Sequence, residues 1–376
     1  MQDADVLILG AGMAGASLAW WLARGGQRVW LLEREAQPGM HSTGRSAAMF
    51  MESYGPPGVR ALTRAGREFY RHPPAGFAEG PLLTPRQALF VATAGQRAAL
   101  AAMQADLAAS GTHLKLLNSE LIAQIAPGLK ADLFQAALLD ENGFDIDVNA
   151  LLQGFLRGAR QAGAQLLADT QVQAAQHTES GWRVLLSDGN AVQTRVVVNA
   201  AGAWADEVAR LFGAVPIGLT PRRRSAFTFR PPEGVDVSGW PMVADVDEQW
   251  YFKPDAGQLL GSPANADAVV PHDVQPEELD IALGIHRIEE ATTLRIARPT
   301  ATWAGLRSFV ADGEIVIGFD DACEGFFWLA GQGGYGIQCA AGASALAACL
   351  VTGTPLSDEL VRHGVDPRVV SPQRLR

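Results

Sequence analysis

The chain has 376 residues, 48% apolar and 19% charged, with 40 acidic side chains against 30 lysines and arginines and a net charge of -10. At roughly 150 residues per domain, this length suggests two or three domains and enough chain to bury a large core. The composition excludes a disordered chain, and the acidic balance excludes a basic surface for nucleic acid or anionic membranes. Cys323, Cys339 and Cys349 are too few for a disulfide framework and no pair has metal-site spacing, so a reducing, cytoplasmic setting without a metal is expected. Met1-Gln2-Asp3-Ala4-Asp5 carries no basic leader, and no apolar run reaches about 18 residues. Neither a secretory signal nor a transmembrane segment is therefore expected.

Val6-Leu7-Ile8-Leu9 opens the chain as an apolar strand. Gly10-Ala11-Gly12-Met13-Ala14-Gly15 follows, then a helical stretch from Ala16 to Arg24 that Gly25-Gly26 ends. Arg28 to Leu32 is a second strand, closing on Glu33, which completes a β-α-β unit in about thirty residues. Residues 37–48 form a polar loop. Helices are expected over 58–70 and 95–110, with a strand at 87–93 between them. Asp147 reads as the N-cap of an amphipathic helix over 148–162. Strands follow at 171–175, 182–187 and 191–198, the last two joined by an Asp188-Gly189 turn. A helix should start near Ala205. Residues 223–310 are strand-rich with one helix near 277–290, and the chain closes with strands at 315–318 and 326–330, a glycine turn, and a helix from about Tyr335 to Leu350.

Gly10, Gly12 and Gly15 form GxGxxG in the context that gives the motif meaning. Gly10 permits the tight turn, Gly12 lets backbone approach a pyrophosphate at the helix N-terminus, and Gly15 allows close helix-strand packing. Glu33 lies 18 residues beyond Gly15, placed to accept ribose hydroxyls and to repel a 2′-phosphate. Met13 and Ala14 within the motif, and Arg34 after Glu33, are further candidate cofactor-binding residues. A second cluster, Gly331-Gln332-Gly333-Gly334-Tyr335-Gly336, follows a strand and is expected to open a helix, whose positive end would suit an electron-rich flavin. This favours FAD over NAD. Nucleotide-site elements occur early, in the middle and late in the chain. The expectation is a discontinuous FAD-binding domain (1–80, 145–220 and 300–376) interleaved with a substrate domain (81–144 and 221–299).

Longer blocks carry a resemblance. They include Glu33-Arg34-Glu35-Ala36-Gln37-Pro38-Gly39, His41-Ser42-Thr43-Gly44-Arg45-Ser46-Ala47-Ala48, Asn199-Ala200-Ala201-Gly202-Ala203-Trp204, Trp303-Ala304-Gly305-Leu306-Arg307-Ser308-Phe309 and Gln332-Gly333-Gly334-Tyr335-Gly336-Ile337-Gln338. In these blocks the chain resembles the D-amino-acid oxidase/glycine oxidase superfamily of FAD enzymes, most of all its D-arginine dehydrogenases, essentially end to end. The resemblance implies an α/β fold: a Rossmann-like FAD domain and a substrate domain on a mixed, largely antiparallel sheet. It implies oxidation of a D-amino acid to an imino acid by hydride transfer from Cα to flavin N5, then hydrolysis to a 2-oxo acid and ammonia. It matches Arg224, Arg307 and Tyr54 to a substrate-carboxylate clamp, Tyr251 to a pocket tyrosine, and the Gly334 carbonyl to the amine acceptor. Further flavin positions are His41 to Ala47, Val172, Ala201, Gly202, Trp204, Gly305, Gly331, Gly333 to Ile337 and Gln338. Arginine grips a planar carboxylate bidentately, so the clamp has a physical rationale.

Two positions depart from the D-arginine dehydrogenases. Met49 stands for a pocket histidine, and Ala88 for the glutamate that pairs a guanidinium. A pocket of Met49, Phe50, Ala88 and Tyr251, with Gln338 beside it, suits neutral or hydrophobic D-amino acids better than D-arginine, because a buried unpaired guanidinium is costly. Glu52, near Tyr54, is the counter-reading: an acid that could reach a basic side chain. No histidine is placed as a base, so water or a lowered amine pKa would serve deprotonation. Competing readings are oxidation of secondary amines or glycine derivatives, as in sarcosine or glycine oxidases, a 2-hydroxy-acid dehydrogenase, and a non-catalytic flavin module. The electron acceptor is open between oxygen and a quinone-like carrier.

Overall fold

The computed structural model describes residues 2–130 and 132–376; Met1 and Ala131 lie outside the described residues. The first sheet has a parallel centre. Gln2–Leu9 pairs in parallel with Val29–Leu32 on one side and Ala191–Asn199 on the other. Gln165–Leu167 extends it beyond Val29–Leu32, and Phe326–Ala330 extends it beyond the C-terminal half of Ala191–Asn199. Central strands of a parallel sheet are covered on both faces and read as continuous apolar runs. Val29–Leu32 and Phe326–Ala330 are buried at every position. On one face pack Met13–Arg24, Val148–Gln161, Pro57–Arg71 and Ala340–Thr352, enclosing Leu18, Leu62, Phe155 and Leu346. The other face holds Trp182, Phe212 and Trp328. The antiparallel hairpin Val172–Thr178 and Gly181–Leu186 closes one edge.

The second sheet has nine strands and is antiparallel except where Met242–Asp245 runs parallel to Ala88–Ala92. At one end of it Thr220–Phe229 pairs with the edge strand Ala301–Phe309, from Thr220 opposite Phe309 to Thr228 opposite Ala301. The helix Glu278–Ala291 covers its outer face through Ile281 and Ile288, which pack into a cluster with Phe227 and Phe252. Three short strands, Met49–Phe50, Phe144–Ile146 and Leu83–Pro85, form a small sheet of their own. Ala301–Phe309 thus belongs to the second sheet, whereas the sequence reading assigned residues from 300 onward to the nucleotide unit. The reason is register: nine residue pairs tie it to Thr220–Phe229, and none to the first sheet.

Most expected elements form within a few residues of their expected limits. Asp147 caps Val148–Gln161 by accepting from the Ala150 amide. The last long helix differs. It runs Ala340–Thr352, so residues 335–339 are turns and no helix N-terminus stands at Tyr335. The Gln338 side chain holds that segment: it donates to the Met51 and Tyr54 carbonyls (both 3.1 Å) and accepts from the Met51 amide. Short strands at Lys115–Asn118, Ala136–Asp140 and Phe144–Ile146 carried no strong sequence pattern.

Candidate active site

The parallel strands Gln2–Leu9 and Ala191–Asn199 end side by side, and the cleft beyond their C-terminal ends is where open α/β sheets take ligands. Gly10, Gly12, Glu33, Arg34, Ser42, Thr43, Val172 and Ala201 line it. Gly10 has φ +102° and a Cβ there would stand 2.5 Å from the Ala200 carbonyl oxygen; on Gly15 a Cβ would meet the Gly10 carbonyl at 1.9 Å. Only glycine fits either position. The Glu33 carboxylate is buried and accepts from the Ala11 amide (2.9 Å) and the Glu35 amide (3.0 Å), which fixes its orientation toward the cleft. Thr43 Oγ1 accepts from the Met13 amide at 3.0 Å. Among the described residues no protein acceptor reaches the amides of Gly12 and Ala14, which leaves two donors at a helix N-terminus facing the cleft. Such a cradle fits a dinucleotide pyrophosphate, and the fixed acid fits its ribose. Beyond Glu33, the Arg34 guanidinium lies 3.8 Å over the Trp204 ring, and His41 meets both Trp204 and the Glu35 carboxylate (2.8 Å).

Ser42 donates to the Leu306 carbonyl at 2.7 Å and Trp303 Nε1 donates to the Arg45 carbonyl at 3.1 Å, so the loop after Glu33 is stitched to the second sheet. Arg45 was expected among the cofactor residues. It borders the cleft, but its guanidinium is spent on Asp273 and on the Val274 and Ala304 carbonyls, so it acts as a strut. Gly44 and Gly331 shape turns: the Gly44 amide donates to Gly39, and Gly331 has φ +69°.

Past Ser46 and Ala47 the cleft opens into a cavity of about 480 Å³. Period-two alternation sorts the run Arg222-Arg223-Arg224. Arg223 points away and pairs with Asp280 at 2.9 Å and with Glu277. Arg224 and Arg307, on neighbouring antiparallel strands, both line the cavity, and no carboxylate among the described residues pairs with either. Arg224 Nε donates to the Asn265 carbonyl at 2.7 Å, and Arg307 Nη1 donates to the Tyr54 hydroxyl at 3.2 Å. Burial, and then the charge of Arg307, hold the Arg224 guanidinium below its usual range, while burial pushes the Tyr54 hydroxyl up. Gly334 closes the group: a Cβ there would lie 2.8 Å from Arg307 Nη1 and 2.9 Å from the Tyr54 hydroxyl. Its carbonyl accepts no hydrogen bond from the described residues. Tyr251, Met49 and Gln338 also border the cavity. Two half-buried guanidiniums that lack a carboxylate partner, beside a neutral phenol, have the chemistry to take one planar anion.

Several expected pocket residues stand elsewhere. Phe50 is buried against Tyr70, because in Met49–Phe50 successive side chains point to opposite faces. Ala88 is fully covered in an apolar cluster with Met49, Phe90 and Met242 and does not reach the cavity surface. Glu52 pairs with Arg67 at 2.8 Å and is absent from the cavity wall, so it is not placed to meet a basic side chain. The wall includes residues the sequence reading did not single out: Met51, Ser53, Phe90, Met103, Met242, Val246 and Glu248. Gln332 and Ser308 join the lining of the cleft next to Ser46 and Ala47. Only Gln332 and Ser308 lay inside a motif already noted.

The family model described as FAD dependent oxidoreductase (DAO) matches residues 5–350. The chain belongs to this family. Its cofactor is FAD, and the resemblance to the D-amino-acid oxidase/glycine oxidase superfamily holds. FAD-dependent oxidoreductase domain-containing protein 1 from Mus musculus is 23% identical over 91% of this chain and 80% of its own length. Among solved structures, L-proline dehydrogenase from P. horikoshii superposes with a TM-score of 0.85 at 20% identity, covering 99% of this chain and 98% of the other. Glycine oxidase from Geobacillus kaustophilus gives 0.82 at 22% identity, covering 97% and 99%. At these identities the two structures establish the fold. No helix among the described residues is long and apolar enough to cross a membrane.

Proposed function

We propose that this FAD-dependent oxidoreductase oxidises amino acids, and specifically D-amino acids with neutral or hydrophobic side chains, to imino acids that water converts to 2-oxo acids and ammonia. The observation that carries the reading is the pair of half-buried arginines, Arg224 and Arg307, left without a carboxylate and converging with Tyr54 and Gly334 on a cavity that opens onto the FAD cleft. A substrate carboxylate would supply the missing counter-charge, and a fixed carboxylate fixes Cα, so positioning contributes much of the rate. Bound FAD supplies the two-electron acceptor. The free Gly334 carbonyl would accept a hydrogen bond from the substrate amine. No histidine lines the cavity among the described residues, and water is the acceptor we propose for the amine proton. Met49, Met51, Phe90, Met103 and Met242 give the side chain an apolar, adaptable wall.

A second reading has support of its own. Proline, named for one structural neighbour, is a secondary amine, and the same carboxylate clamp would serve a secondary amine or a glycine derivative. Anaerobic mixing of the holoenzyme with D-, L- and N-methyl amino acids, followed by flavin absorbance, separates the two. Bleaching by D-leucine or D-methionine, weak with D-arginine, is the expected result. Bleaching by sarcosine or proline alone would replace the first reading with the second, and bleaching by no amino acid would refute both. Admitting oxygen or a quinone analogue to the bleached sample identifies the electron acceptor.

A further inference from the structure

The turn between Met242–Asp245 and Tyr251–Asp255 is built with unusual care. Asp245, itself buried, accepts from the amides of Asp247 (3.0 Å) and Gln249 (3.2 Å), and its carbonyl accepts from the Glu248 amide (2.9 Å). Gln96 reaches across to donate to Asp245 (2.7 Å) and Asp247 (2.8 Å). These bonds hold Glu248 at φ +53°, a conformation that costs a side-chain-bearing residue of order 1 kcal/mol or more. The result is a solvent-exposed carboxylate at the border of the substrate cavity, with no hydrogen bond or ion pair to any described residue. Arg287, beside this turn, is committed to the Gln249 and Pro263 carbonyls, and the wall cations outside the clamp are paired, Arg60 with Asp106 and Lys253 with Asp145. The charge of Glu248 is felt by Tyr54, Arg224 and Arg307. The cavity therefore has two poles, a cationic one for the α-carboxylate and an anionic one on the turn.

We propose that Glu248 selects substrates by side-chain charge, admitting neutral and cationic side chains and rejecting anionic ones. The inference rests on reading the cavity as an amino-acid site. The apolar wall sets a preference for neutral side chains; Glu248 ranks the charged ones. A substrate bound through its α-carboxylate extends its side chain along the remaining wall, where like charge repels and opposite charge attracts. Solvent screens the exposed Glu248, so each effect is worth about threefold and the two together about tenfold.

The test uses the FAD-loaded protein and three carboxylate ligands that undergo no oxidation: 4-methylpentanoate, 5-aminopentanoate and glutarate. Dissociation constants are read from perturbation of the flavin spectrum. In the wild type, 5-aminopentanoate should bind at least about tenfold more tightly than glutarate. Glu248→Gln should shrink that ratio about tenfold and Glu248→Lys should invert it, with the neutral ligand moving least. Glu248→Gly takes up the positive φ without strain and should match Glu248→Gln, which separates charge from folding. Equal shifts for all three ligands, or an unchanged ratio, would overturn the proposal. D-Leucine is then added to the same samples. Flavin that stays oxidised while the ligand ranking responds to Glu248 would refute amino-acid oxidation alone, and an unresponsive ranking with normal reduction would refute the role of Glu248 alone.

Discussion

Gly334→Ala puts the carboxylate clamp to its most direct test. The added methyl would lie 2.8 Å from Arg307 Nη1 and 2.9 Å from the Tyr54 hydroxyl, against an ordinary contact of 3.4 Å or more. Both groups must therefore withdraw, Arg307 by about 0.6 Å and Tyr54 by about 0.5 Å. Both are ends of side chains, so the fold should absorb the move. The clamp should not, because it works by aiming two donors at one carboxylate. A hydrogen bond to a charged group contributes about 1.5–3 kcal/mol, so misplacing one should weaken carboxylate binding by about 10- to 100-fold. The assay is titration of the holoenzyme with 4-methylpentanoate, followed by flavin absorbance, beside a thermal melt. Gly333→Ala is the contrast: φ is +52° and its methyl would lie 2.6 Å from the Phe309 ring, so it should lower the melting temperature. Unchanged ligand affinity in Gly334→Ala, with affinity lost in Arg307→Ala, would refute the reasoning about where the carboxylate sits.

Three further outcomes are expected. Ala88→Glu introduces a carboxylate into a closed apolar cluster, in register opposite Asp140. It should melt several degrees lower and gain D-arginine turnover only when Met49→Ala opens a path to the cavity; an unchanged melting temperature would contradict the placement of Ala88. Because burial holds the Tyr54 hydroxyl above the ordinary phenol value of 10.0, it stays protonated and donates up to that pH. Carboxylate affinity should then show no loss from tyrosinate formation up to pH 10, and a fall that vanishes in Tyr54→Phe would contradict this. Glu33→Ala removes a carboxylate that also holds the Ala11 and Glu35 amides, so reconstitution of the apoprotein should need at least about tenfold more FAD, and an unaltered FAD requirement would count against a cofactor role for Glu33.

Much of the cofactor side was legible in the sequence because its signals are local. Gly10, Gly12, Gly15 and Glu33 lie in one β-α-β unit whose chemistry depends on backbone geometry within about thirty residues. Arg224, Arg307, Tyr54 and Gly334 came from the resemblance. No spacing rule joins four residues spread along the chain, and only the strand pairing and the turn after Phe326–Ala330 bring them to one cavity. In Arg222-Arg223-Arg224 the sequence alone reads as a basic turn; the pleat decides that Arg223 is neutralised and Arg224 is not. The substrate wall was the least legible part. Met51, Phe90, Met103, Met242 and Glu248 come from separate elements, and burial alone separates Phe90, which faces the cavity, from Ala88, which does not. The sequence by itself determined the nucleotide fold and its cofactor, because those follow from contiguous backbone shape. The tertiary structure decided which charges remain unpaired and what they face, because the partners of a side chain are set by long-range packing.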